Sequence, residues 1–140
     1  MNPILPFIMA GDPSLAALPG LLAEARSLGL DCLELGLPHS DPIADGPVLQ
    51  AAAQRAIAAG ATPGKVLEAL AGITASPDLV LFTYVNPLLQ IGTEVLLDLL
   101  PRTPVKALLV VDLPDGEEPD FERRLRQAGF PMVPLLAPTT

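Results

Sequence analysis

Two carboxylates, Glu34 and Asp45, are the side chains of this sequence best suited to chemistry. Glu34 lies inside the apolar segment 32–37, with leucine on either side. A carboxylate in such a segment is either paired with a basic group or desolvated, and a desolvated carboxyl group can exchange a proton near neutral pH. The nearest basic residues along the chain, Arg26 and Arg55, lie on predicted helices. We therefore favour proton transfer over a structural ion pair for Glu34.

Asp45 follows in the short loop Ala44-Asp45-Gly46-Pro47, directly before a helix predicted to begin at Pro47. Its structural alternative is a helix cap, a role for which aspartate is well suited. Two carboxyl groups in different environments can divide the duties of acid and base between them. His39, the single histidine of the chain, could join them, although exposure in a loop is its more common role. One histidine argues against a Ser-His-Asp triad and a multi-histidine metal site.

Short apolar runs predict the elements that position these groups. The runs are nearly continuous, which is typical of strands buried on both faces of a parallel sheet. Between them lie apolar stripes of helical spacing, with Thr62 and Thr93 as predicted N-caps of the third and fourth helices. The predicted order is therefore β-α repeated, with one longer connection after the second strand. The five predicted strands are 4–9, 32–37, 79–84, 107–111 and 132–137.

Polar side chains follow the first four predicted strands. The carboxyl ends of parallel strands are where α/β folds place ligands. Roles in turns and helix caps explain two of these residues, Asp12 and Asn86, equally well. Both an open doubly wound sheet and part of an eight-stranded β/α barrel fit the pattern, although the first turn lacks the glycine-rich sequence typical of nucleotide sites. The polar residues at the four exits are Asp12, Ser40, Asp41, Asn86 and Asp112.

Length and composition exclude several classes of protein. The 140 residues fit one domain, and 50% hydrophobic content with 17% charged residues excludes a disordered chain. A net charge of −8 argues against binding to nucleic acid or to an anionic membrane surface. Cys32 is the single cysteine, which suits a reducing compartment. We see neither a leader pattern nor an apolar run approaching the ~20 residues of a membrane span, so we expect a cytoplasmic chain.

The segment 34–50, ELGLPHSDPIADGPVLQ, closely resembles the signature of the tryptophan synthase alpha subunit family. Segment 6–13 resembles the family's first strand. Segments 83–87, 111–114 and 136–140 resemble the ends of its strands three, four and five, in the same order. The resemblance implies an α/β fold of the (β/α)8 TIM-barrel type. Residues 1–140 would then form a partial barrel domain truncated to about five βα units, with strands six to eight and the family's leading helix absent.

The family cleaves indole-3-glycerol phosphate to indole and glyceraldehyde 3-phosphate in tryptophan biosynthesis. By resemblance, Glu34 is the acid/base that moves the proton at the indole ring carbon. Asp45 binds the indole N–H and stabilises positive charge on the ring. The resemblance also implies no cofactor or metal in this chain, and a beta subunit partner that holds pyridoxal phosphate in an alpha2beta2 complex. Ordinary packing in a barrel core is an open alternative for three of the matching pocket positions, Phe7, Leu109 and Val111. Matching positions line the indole pocket at Phe7, Tyr84, Leu109 and Val111 and face the beta subunit at Pro38, Asp41, Asn86 and Pro114.

The sequence departs from the family pattern in three small ways and one large one. His39 stands where Phe or Tyr is usual, Met9 where Thr is usual, and Val111 where Pro or Ala is frequent. The large departure is length, since a full barrel needs about 250 residues. The family's mobile loop after strand six and its glycine-rich phosphate turns would be missing. We therefore expect the chain alone to bind substrate poorly and to be weak or inactive.

Two alternatives to a lyase stay open at this point. The first is a truncated, non-catalytic remnant that could at most dock a beta subunit. The second is an unrelated phosphate-binding barrel, which would have to acquire the spacing of Glu34 and Asp45 by chance.

Overall fold

The computed structural model describes residues 4–136 and shows parallel strands alternating with helices. The strands are β1 (Phe7–Met9), β2 (Cys32–Gly36), β3 (Asp78–Thr83) and β4 (Val105–Val110). The helices are α1 (Leu18–Ser27), α2 (Pro47–Ala58), α3 (Pro63–Leu70), α4 (Val85–Ile91), α5 (Thr93–Leu99) and α6 (Pro119–Gln127). Single 3-10 turns at Leu15–Ala17 and Leu100–Arg102 precede α1 and follow α5.

The strands lie side by side in the order in which they occur in the chain. Each pairs in parallel with the next, giving the order β1-β2-β3-β4. The register places Phe7 of β1 opposite Glu34 of β2, and Glu34 opposite Val80 of β3. Parallel neighbours joined in sequence through helical crossovers are the arrangement of a β/α barrel. The barrel interpretation is therefore favoured over the open doubly wound sheet, in which the strand order reverses.

The two faces of the sheet differ because side chains alternate along each strand. One face packs against the helices and is largely buried. Each leucine buried there contributes about 1.5–3 kcal/mol through the hydrophobic effect. The other face carries Glu34 among half-buried and buried neighbours; we call it the inner face. The helix-covered core includes Leu33, Leu35, Leu79, Leu81 and Leu108 from the strands and Leu22, Val66, Leu67, Leu70, Leu96 and Leu125 from the helices.

The predicted fifth strand is wrong as a full strand within the described residues. The chain there makes a single parallel bridge between Leu108 and Met132. The Leu108 N–H donates to the Pro131 carbonyl over 3.1 Å, and the Val133 N–H donates to the Leu108 carbonyl over 2.7 Å. Pro131 and Pro134 lack the N–H that a longer ladder needs. The last residue of that prediction, Ala137, lies outside residues 4–136.

Helix α4 was not predicted, because Asn86-Pro87 was interpreted as a turn leaving the third strand. Pro87 is the third residue of α4. In this first turn of a helix a missing N–H costs nothing. The Val85 N–H, the first of the helix, donates instead to Oδ1 of Asp112 over 2.7 Å. One polar residue at a strand exit therefore caps the helix that follows the neighbouring strand.

The two predicted threonine caps have different outcomes. Thr62 caps α3 as predicted, with its Oγ1 accepting from the Lys65 N–H at 3.3 Å. Thr93 is the first residue of α5 and makes no capping bond, so its predicted role is wrong. The residue before it, Gly92, has a φ of +83°. Glycine adopts this conformation readily, and it makes the sharp turn from α4 into α5.

Candidate active site

Glu34 lies on the inner face in the middle of β2. Its side chain is half-buried, and its N–H donates to the Pro6 carbonyl over 2.8 Å. The ion pairs found between residues 4 and 136 involve other carboxylates, so the structural alternative of a paired Glu34 has no support there. The carboxylate therefore lies on a largely apolar face and is free to meet a ligand.

Asp45 lies in the loop 37–46 that joins β2 to α2. Its N–H donates to the Pro42 carbonyl over 3.0 Å, and the Gln50 side-chain amide donates to the Asp45 carbonyl over 2.9 Å. The N-cap of α2 is Gly46, without a side-chain cap. The helix-cap alternative for Asp45 is therefore wrong. Its carboxylate instead accepts a hydrogen bond from the Tyr84 hydroxyl over 3.0 Å.

Tyr84 connects this loop to the end of β3. The residue is 3% exposed, and its hydroxyl donates to Asp45 while accepting from the Ala44 N–H over 3.0 Å. Burial, assisted by the nearby Asp45 carboxylate, raises the pKa of the Tyr84 phenol to about 12. The hydroxyl therefore remains a proton donor at neutral pH. The His39 ring lies 5.2 Å from the Tyr84 ring, tilted by 36°, so His39 packs on the same side chain.

These contacts hold Asp45 at the carboxyl end of β3. This strand pairs with β2, which carries Glu34. The sequence assigned Tyr84 to the substrate pocket. The structure shows its hydroxyl engaged with the loop. No local sequence signal could have shown this, because the two partners are 39 residues apart.

The other residues assigned to the substrate pocket lie on or next to the inner face. Phe7 is opposite Glu34 and packs edge-to-face on Phe82, with ring centroids 5.4 Å apart. Leu109 is buried and pairs with Phe82 across the sheet. Val111 directly follows β4, is half-buried, and donates its N–H to the Thr83 carbonyl. The inner face thus offers an apolar surface beside a carboxylate.

The four residues assigned to a partner interface all follow strand ends. Asp41, Asn86 and Pro114 are exposed, whereas Pro38 is buried. Sequence reasoning missed three large apolar side chains close to them in the chain. These exposed side chains are Ile43, Val48 and Leu89.

Sequence reasoning also missed the partner of Asp12. Arg55 of α2 donates from Nε to Oδ1 of Asp12 over 3.1 Å and from Nη2 to Oδ2 over 2.6 Å. The hydrogen bonds from Arg55 lower the pKa of the Asp12 carboxyl. Asp12 is thus one half of a two-bond ion pair rather than only a turn-former. The partners are 43 residues apart, so only the fold reveals the pair.

Two kinds of feature are absent from the part of the chain that the structure describes. Within residues 4–136, no group of three or more His, Cys, Asp or Glu side chains is arranged to bind a metal ion. None of the helices described there is long and apolar enough to cross a bilayer.

The fold and the two carboxylates define the class: part of a β/α barrel with polar groups at the carboxyl ends of its strands. The profile of the family described as tryptophan synthase alpha chain matches residues 1–140. The alpha chain of Synechococcus sp. (strain CC9902) is 45% identical over 139 residues, 98% of this chain and 52% of the relative. That of Gloeobacter violaceus is 44% identical over 138 residues, 97% of this chain and 50% of the relative.

Solved structures agree with the sequence comparisons. The crystal structure of the alpha chain from Legionella pneumophila superposes with a TM-score of 0.88 at 31% identity, covering 99% of this chain and 53% of that one. A structure of the tryptophan synthase a2b2 complex from Pyrococcus furiosus gives a TM-score of 0.86 at 32% identity, covering 99% and 59%. The chain belongs to the tryptophan synthase alpha chain family. It spans about half the length of the curated relatives it matches.

Proposed function

We propose that this chain supplies the two catalytic carboxylates of a carbon-carbon lyase. The reaction is the retro-aldol cleavage of indole-3-glycerol phosphate to indole and glyceraldehyde 3-phosphate. The observation that carries the proposal is the hydrogen bond from Tyr84 to Asp45. It holds Asp45 at the end of β3, the neighbour of the strand β2 that carries Glu34. Membership of the family over the whole chain supports the same assignment.

The chemistry requires one group that moves a proton and one that stays negative. A proton added to the indole carbon bearing the side chain leaves positive charge on the ring, centred at its N–H. Removing the proton of the side-chain hydroxyl next to the ring then breaks the carbon-carbon bond, gives the aldehyde and returns the electron pair to indole. Glu34 is assigned the proton transfers. Asp45 accepts from the indole N–H and offsets the ring charge in the transition state.

The inner face suits a flat, apolar substrate ring. Phe7 and Leu109 lie on the same face as Glu34, and the Phe7–Phe82 pair leaves an aromatic surface beside the carboxylate. Asp45 accepts one hydrogen bond from Tyr84, which leaves acceptor capacity for the indole N–H. Phosphate binding in β/α barrels is frequently supplied by loops after the seventh and eighth strands. These strands have no counterpart among the four described here.

We assign the beta subunit as partner, with Asp41, Asn86 and Pro114 at the contact. They are exposed at the carboxyl ends of the strands, and Ile43, Val48 and Leu89 add exposed apolar surface close to them in sequence. The a2b2 complex described for the Pyrococcus furiosus structure supports such a pairing. A cytoplasmic location agrees with the single cysteine of the chain.

Indole release from indole-3-glycerol phosphate tests the proposal. The purified chain is assayed alone and with a beta subunit, beside Glu34→Gln, Asp45→Asn and the control Glu68→Gln. Glu68 is an exposed carboxylate on α3. A second set carries residues 1–140 fused to the remaining half of the Synechococcus alpha chain.

We expect release by the fused barrel to fall at least about a hundredfold in Glu34→Gln, since proton transfer contributes roughly 10²–10⁴-fold. Glu68→Gln should match the parent. Undiminished release in Glu34→Gln would overturn the assignment. Release by the fused barrel, with none from the folded chain, would restrict the activity to completed barrels and leave the isolated chain as the docking remnant.

A further inference from the structure

The ion pair between Asp12 and Arg55 joins the exit of β1 to the last turn of α2, the helix that begins two residues after Asp45. Its two parallel hydrogen bonds use both carboxylate oxygens. This geometry fixes direction as well as distance, unlike a single-contact surface pair. The Asp12 side chain is 22% exposed and the Arg55 side chain 60% exposed, so the two-bond geometry rather than burial distinguishes this pair.

The same end of α2 is seated closely on β1. Met9 is buried against Ala52, Ala53 and Ala56 of the helix. The backbone of Gly11 lies so near the chain after the helix that an added Cβ would be 2.6 Å from the Ala61 Cβ. The helix therefore packs closely on the exit of β1 beside Arg55.

The first five residues of α2 include no buried side chain. Pro47, Val48 and Ala51 are exposed. The loop before them is tied to the rest of the described protein through Tyr84, which bonds to Ala44 and Asp45. Because a helix is stiff, with about 1.5 Å of rise per residue, a rotation at Arg55 displaces the residues before Pro47.

We propose that Asp12 and Arg55 are positioning residues for Asp45: their paired bonds fix α2 on the exit of β1, and α2 places the Asp45 carboxylate at Tyr84. The catalytic consequence rests on the proposed role of Asp45 in the lyase. The positioning itself is independent of any substrate.

Tyr84 provides the readout, because the chain has one tyrosine and no tryptophan. A carboxylate that accepts a hydrogen bond from a tyrosine hydroxyl quenches tyrosine emission, so we expect Tyr84 to be quenched by Asp45. The variant Asp45→Ala defines the emission of the released phenol. The test compares Arg55→Gln, Asp12→Asn and their double variant at neutral pH. Arg102→Gln is the matched control, since it breaks an exposed pair with Asp98 that has no link to α2.

We expect each single variant to shift the emission toward the Asp45→Ala value, and the double variant to add nothing further, because the two residues act as one unit. Arg102→Gln should leave the emission unchanged. Arg55→Lys keeps the charge without the two-bond geometry, so it should give an intermediate shift. If Arg55→Gln does not fold, Arg55→Lys and Asp12→Asn still test the proposal.

Unchanged emission in single variants that retain the far-UV circular dichroism of the parent would overturn the proposal, as would additive shifts in the double variant. In the fused barrel, kcat should fall by about ten- to a hundredfold with little change in KM, as expected for a misplaced catalytic group. A shift in emission with unchanged kcat would confirm the positioning and contradict the role of Asp45. The two proposals therefore fail separately.

Discussion

Replacing Tyr84 with phenylalanine removes one oxygen atom that makes two hydrogen bonds across the candidate site. The hydroxyl donates to the Asp45 carboxylate and accepts from the Ala44 N–H, each over 3.0 Å. A hydrogen bond to a charged group contributes about 1.5–3 kcal/mol to stability and a neutral one about 1. Water can replace part of the loss in the partly exposed loop. We therefore expect Tyr84→Phe to lower the free energy of unfolding by about 2 kcal/mol.

The difference in the free energy of unfolding between parent and Tyr84→Phe should depend on pH where the Tyr84 phenol titrates. The pKa of Tyr84 is raised to about 12 in the folded chain, against about 10 in an unfolded one. Between these values the folded state binds more protons, so its stability falls as pH rises. Two pKa units correspond to about 3 kcal/mol. The stability difference between parent and Tyr84→Phe should therefore be full below pH 10 and shrink as pH approaches 12.

Urea unfolding followed by far-UV circular dichroism at neutral pH and at several pH values above it measures both effects. Ser27→Ala is the control, because it removes an exposed hydroxyl that bonds only to the Glu24 carbonyl of its own helix. The control should change stability by less than about 0.5 kcal/mol. A loss this small in Tyr84→Phe would refute the reasoning, and so would a difference that stays constant up to pH 12.

Three further outcomes follow from single contacts. Gly11→Ala should destabilise the chain by at least about 2 kcal/mol in thermal unfolding, because a φ of +89° is strained for alanine and the new Cβ meets Ala61. An unchanged melting temperature would contradict the close contact. Thr62→Ala should cost about 1 kcal/mol in urea unfolding by removing the bond from the Lys65 N–H, whereas Thr62→Ser should cost much less. Burial raises the pKa of the Cys32 thiol, so iodoacetamide should modify the folded chain more slowly than the urea-unfolded chain at pH 8. Equal rates of modification in the two states would exclude a protected thiol.

The strands and most helices could be predicted because their signals are local. Continuous apolar runs mark β1 to β4, and Thr62-Pro63 marks the start of α3. Helix α4 was missed because the proline that suggests a turn also fits the first turn of a helix. The fifth strand was overpredicted because hydrophobicity alone takes no account of the N–H groups missing at Pro131 and Pro134.

The residues of the candidate site could likewise be predicted from the sequence only where the signal is local. Glu34 could be singled out because a carboxylate inside an apolar strand is a local anomaly. The contacts of Asp45 and Asp12 could not, since their partners Tyr84 and Arg55 lie 39 and 43 residues away. Asp45 was expected either to act in catalysis or to cap a helix, and only the packed loop shows that it does not cap.

The order of the strands has a consequence for how the chain assembles as it is made. Each of β2, β3 and β4 pairs with the strand synthesised just before it. Each new βα unit therefore meets an edge that already exists and has to close only one connection, which limits the entropic cost of each addition. Synthesis delivers roughly 5–20 residues per second, whereas closing a loop of ten residues takes about 10–100 ns. The sheet can thus grow from its amino-terminal strand at the pace of translation, with each finished edge serving as the template for the next strand.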